Sequence, residues 1–102
     1  MDRGTSDKIK NFLNQDFNFK IVKIIGSYAD FDKSYMAFLY WETNKELYLI
    51  TEVIKEKIKN LFIDYFKKEG LFPNEVQDII LYFDSNENVQ KNYDGNYFYA
   101  TR

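Results

Sequence analysis

The 102-residue chain contains neither cysteine nor histidine. Without cysteine there is no disulfide framework and no thiol nucleophile, a pattern that fits a reducing compartment. Without histidine the chain lacks the usual general base at neutral pH, the commonest transition-metal ligand and the Ser-His pair. Proline occurs once and glycine four times, and no repeat, low-complexity tract or Gly/Ser-rich linker interrupts the sequence. Residues 1–102 are therefore read as a single domain. No segment approaches the roughly 20 apolar residues that span a bilayer, and MDRGTSDKIKNFL lacks the apolar core of a signal peptide. A cytoplasmic protein without membrane contact is expected. The net charge of −2 lacks the basic surplus that domains binding phosphate backbones usually carry, which argues against direct nucleic-acid binding.

What is abundant is aromatic: ten Phe, nine Tyr and one Trp. Tyrosine joins an apolar body to a polar tip and serves half-buried sheets and interfaces alike. Ser6 is read as the N-cap of a short helix through Asn14, with Ile9, Phe12 and Leu13 on its apolar stripe. Phe19 to Tyr28 and Ser34 to Trp41 are rich in β-branched and aromatic residues, and the acids of residues 29–33 between them predict a hairpin or meander. Trp41, at a strand end, is open to a core or an interface role.

A long helix starts between Thr43 and Thr51 and stops at Gly70, with Ile50, Ile54, Ile58, Leu61, Phe62 and Tyr65 on one stripe. Lys67 and Lys68 suit its C-terminal dipole, Gly70 its C′ position, and Pro73 follows. Leu47 to Ile50 are read as a short strand before Thr51 caps that helix. Asp78 to Phe83 reads as a buried strand. Ser85 or Asp84 then caps one or two helical turns that carry Val89 inward, Asp94-Gly95 makes a sharp turn, and Asn96 to Thr101 alternates like an edge strand. The sum is α+β: an antiparallel or mixed sheet of four to five strands, with one long helix and one or two short helices packed on it.

Several constellations resemble chemistry and then fail. Asp84, Asn86 and Asn88 open like a calcium loop, but Val89 stands at the loop glycine and Gly95 where a bidentate Glu is needed, so no metal is expected. Asp30 with Asp32, and Asp84 with Glu87, are carboxylate pairs of the kind that solvated turns supply without raised pKa values. Tyr93, Tyr97, Phe98 and Tyr99 near Lys91 resemble a base-stacking strand, yet the basic and glycine-rich parts are missing and Asp84, Glu87 and Asp94 would repel phosphates. Lys55 and Lys59 each follow a glutamate, Glu52 and Glu56, by three residues, which marks a solvated helix face. No set of residues assembles a catalytic site, so a non-enzymatic protein without cofactor is expected.

Between Asn74 and Asp94 five acids, Glu75, Asp78, Asp84, Glu87 and Asp94, face one base, Lys91. A soluble rim that discourages aggregation explains them as well as a binding surface does, but tyrosines beside the acids favour binding. The tail FDSNENVQKNYDGNYFYATR, especially FDS, ENV and NYDGNYFY, resembles small bacterial immunity proteins of contact-dependent growth-inhibition and related polymorphic toxin systems. About one fifth of the chain carries that resemblance. It implies a protein that binds and neutralises a cognate C-terminal toxin domain, most often a nuclease acting on RNA, by occluding a basic cleft. Placed physically, the toxin-binding residues would be Asp84, Glu87, Tyr93, Asp94 and Tyr97. The alternative is a small adaptor that binds a peptide or self-associates through Asn96 to Thr101.

Overall fold

The computed structural model describes residues 4–101, and side-chain oxygens start four of its helices. The elements run α1 (Gly4–Phe17), β1 (Lys23–Ala29), β2 (Ser34–Trp41), α2 (Asn44–Tyr48), α3 (Glu52–Lys68), β3 (Asp78–Ser85), α4 (Asn86–Asn92) and α5 (Tyr97–Ala100). Thr43, Thr51, Ser85 and Asn96 are the N-caps of α2 to α5, each accepting a backbone N–H of the first turn that would otherwise lack a partner. The first helix starts ahead of Ser6, whose hydroxyl lies 3.2 Å from the Tyr35 hydroxyl instead of capping.

The class is α+β, but the sheet has three strands among the described residues, in the order β1-β2-β3, not the four to five expected. β1 pairs antiparallel with β2, Lys23 opposite Tyr40 and Ala29 opposite Ser34. β3 pairs parallel with β2, Ser34 opposite Asp78 and Trp41 opposite Ser85. Two expected strands are helical. At Leu47 to Ile50, Thr43 Oγ1 accepts the Glu46 N–H at 3.2 Å and donates to Glu46 Oε1 at 3.1 Å. This Thr-x-x-Glu pairing winds Leu47 and Tyr48 into α2, which Leu49 caps, and Ile50 lies past its end. At Asn96 to Thr101, Asn96 Oδ1 accepts the N–H groups of Phe98 and Tyr99, which overrides the alternation and starts α5. The first strand begins at Lys23 because Asn18 and Lys20 adopt φ of 56° and 61°, breaking extension. There the Asn14 amide serves as Ile21's partner, donating to its carbonyl at 2.7 Å and accepting its N–H at 2.8 Å.

One sheet face carries the core. Tyr35, Ala37, Leu39 and Trp41 of β2 are buried with Ile24 and Ile79, beneath Ile9 and Leu13 of α1 and Ile58, Phe62 and Phe66 of α3. Trp41 is core, and its indole N–H donates to the Phe19 carbonyl at 2.7 Å. Strand alternation turns Ile25, Met36, Phe38, Ile80 and Tyr82 to the opposite face. None of these belongs to the core cluster, and Phe38 stacks on Tyr82 with centroids 4.7 Å apart. No helix among the described residues is long and apolar enough to cross a membrane.

Candidate functional site

The C-terminal cap is built at the end of β3. Ser85, fully buried, accepts the Asn88 N–H at 3.0 Å and donates to Asn44 Oδ1, so one hydroxyl starts α4 and ties it to α2. Val89 is driven inward with no exposure, as its position four residues into the helix predicts. The N–H groups of Tyr93 and Gly95 both return to the Val89 carbonyl at 3.0 Å. Asp94 and Gly95 follow in left-handed conformations, φ 51° and 76°. The turn foreseen at Asp94-Gly95 is present, and it leads into α5.

The five expected binding residues fall in this region, with different roles. Both Asp84 carboxylate oxygens accept from the Asn88 side-chain amide, at 3.0 and 3.1 Å, and Oδ1 also accepts the Ser85 N–H at 2.8 Å. Glu87 is exposed, and its Oε1 accepts the Asn44 N–H at 3.0 Å, complementing the start of α2. Tyr97 donates to Asn86 Oδ1, packs edge-on against Tyr40 at 4.7 Å and lies under the Lys23 ammonium, 4.4 Å from its ring centroid. Tyr93 and Asp94 point to solvent, Tyr93 with 38% of its surface exposed. Asp84 and Tyr97 thus brace the cap, while Glu87, Tyr93 and Asp94 present it.

Beneath the cap lies Tyr40, fully buried, whose hydroxyl has no hydrogen-bond partner among the described residues. Burial pushes its phenol up to about 12, and nearby Asp84, Tyr97 and Tyr93 add to the shift by disfavouring a phenolate. Tyr97 is also raised, by burial first and then by Glu42 and Asp84. The arrangement keeps both phenols neutral and gives the cap an apolar, aromatic base. Among the described residues no group of three or more His, Cys, Asp or Glu is placed to hold a metal ion.

Two sets of residues were not among the expected binding residues. Phe98 and Tyr99, read from the sequence as part of a strand, are 63% and 56% exposed on α5, the helix that Asn96 starts. The second set is the open sheet face around Phe38 and Tyr82. Its signal was an apolar β2 on both faces beside one long helix, which can cover only one of them. Comparison with protein-family models, curated proteins and solved structures finds no match for this chain.

Proposed function

We propose that the chain is an immunity protein that binds a basic cognate toxin domain, a nuclease of the RNase or tRNase kind, and blocks its substrate cleft without doing chemistry itself. The observation that carries this reading is the cap. Glu87, Tyr93, Asp94, Phe98 and Tyr99 are all exposed, on two short helices and the turn that joins them, a segment pinned at its start by buried Ser85 and Val89. Exposed aromatic rings supply anchor area at small entropy cost, and surrounding acids complement a cleft shaped for polyanions. A pre-ordered cap loses little freedom on binding. The acids stand in for phosphates, and the neutral tyrosines Tyr40 and Tyr97 hold the platform. The adaptor alternative loses its segment, because Asn96 to Thr101 is not a strand.

The test is co-expression with the C-terminal toxin domain encoded immediately upstream, together with a binding measurement on the purified pair. Restored growth and a tight complex support the proposal. A toxin that remains lethal and does not bind contradicts it.

A further inference from the structure

The sheet ends at β3, and among the described residues no strand lies beyond it. In a parallel ladder alternate residues direct both N–H and C=O to one neighbour. The Ile79 N–H is taken by Asp78 Oδ1 at 3.0 Å and the Ser85 N–H by Asp84 Oδ1 at 2.8 Å, each within the strand itself. Those two residues therefore face away from β2, and so do Leu81 and Phe83, which share their parity. At its ends the edge is closed by its own aspartates; between them it is open. Alongside runs a groove of about 450 Å³ between β3 and α3, lined by Glu52, Lys55, Glu56 and Lys59 and floored by Leu81 and Phe83.

We propose that β3 is a strand-addition site for an extended, basic segment of a partner protein, independent of the toxin reading above. The added strand would take the N–H and C=O groups of Leu81 and Phe83. Its side chains would alternate, one set entering the groove against Leu81 and Phe83, the other lying on the open face beside Ile80 and Tyr82. Charge selects the occupant. Asp78 and Asp84 stand at the two ends of the edge, Asp84 with its carboxylate held by Asn88, and Asp78, Glu52 and Glu56 line the groove against Lys55 and Lys59. Lysine or arginine at both ends of the incoming segment would stand opposite them. A second copy paired antiparallel about Leu81 would set Asp78 against Asp84 twice, and like charges directly opposed destabilise a sheet. Lys55 does not offset this acidity, being paired with Glu52 at 3.3 Å and held 5.4 Å from the Phe83 ring centroid.

The probe is the capped peptide Lys-Thr-Val-Thr-Val-Thr-Lys, compared with its counterpart bearing Glu at both ends, titrated into the isotope-labelled full chain. In the free protein the Leu81 and Phe83 amides should exchange with solvent much faster than those of Ile80 and Tyr82, which bond to β2. The basic peptide should slow Leu81 and Phe83 and shift resonances from Ile79 to Ser85, and the acidic one should bind roughly fivefold more weakly or worse. Leu81→Pro removes only an outward N–H, so it should keep the fold and lose the peptide, whereas Tyr82→Pro should lower the melting temperature. Should Leu81→Pro fail to fold, Asp78→Lys tests the same claim by shifting preference toward a peptide with one terminal Glu. Equal protection of all four amides in the free protein, peptide shifts confined to the C-terminal cap, indifference to peptide charge, or a dimer formed through β3 would each overturn the proposal.

Discussion

Tyr40 and Gly26 show how closely single positions are specified. Building a Cβ on Gly26 places it 2.1 Å from the Tyr35 hydroxyl oxygen and 2.7 Å from Ser6 Oγ, the pair that joins α1 to β2 by a hydrogen bond. Gly26→Ala must therefore displace that pair, and we expect a loss of about 1–3 kcal/mol in urea unfolding. Tyr40 works in the other direction. Its buried hydroxyl has no partner among the described residues, so Tyr40→Phe keeps the ring packing against Tyr97 and removes a desolvated polar atom. We expect about 1 kcal/mol of added stability at pH 7. The pH dependence has a definite sign. The folded phenol, raised from 10.0 to about 12, stays neutral where an unfolded one ionises. Tyr40's contribution is thus complete below pH 10 and is lost as pH rises toward 12. Urea midpoints measured across that window should show the advantage of Tyr40→Phe over the parent widening.

At the scale of elements, side-chain oxygens decide what the strand-like composition leaves open. Ser85 is the clearest case, since its hydroxyl caps α4 and reaches Asn44 at the start of α2. Ser85→Ala should cost about 1–2 kcal/mol and speed amide exchange in α4 ahead of α3. The long helix was legible because three stop signals agree, the Lys67-Lys68 pair, Gly70 and Pro73, and its buried residues Ile58, Phe62 and Phe66 keep helical spacing. β2 was legible to the residue at Ser34 and Trp41. Leu47 to Ile50 and Asn96 to Thr101 were not, because β-rich composition is a weak preference that a local cap overrides. The parallel pairing of β3 with β2 was equally hidden, as it depends on α2 and α3 crossing between them rather than on any short-range pattern.

At the scale of the molecule, the three strands and two main helices of the described residues bury one sheet face and leave the other with Phe38 and Tyr82 stacked at the surface. The candidate binding residues were legible as a neighbourhood, because acids and tyrosines cluster in the tail. Their division of labour was not. Nothing in the spacing of Asp84 and Tyr97 announces that one is held by Asn88 and the other by Asn86 and Tyr40. The most direct check of the central claim is the affinity of the chain for its neighbouring toxin domain, measured for the parent and for a Tyr93→Ala, Asp94→Lys, Tyr99→Ala triple variant at low and high salt. We predict tight, salt-sensitive binding by the parent and a loss of roughly 2 kcal/mol or more in the variant, with its melting temperature unchanged. Full affinity in the variant, or no binding by the parent, would contradict the account.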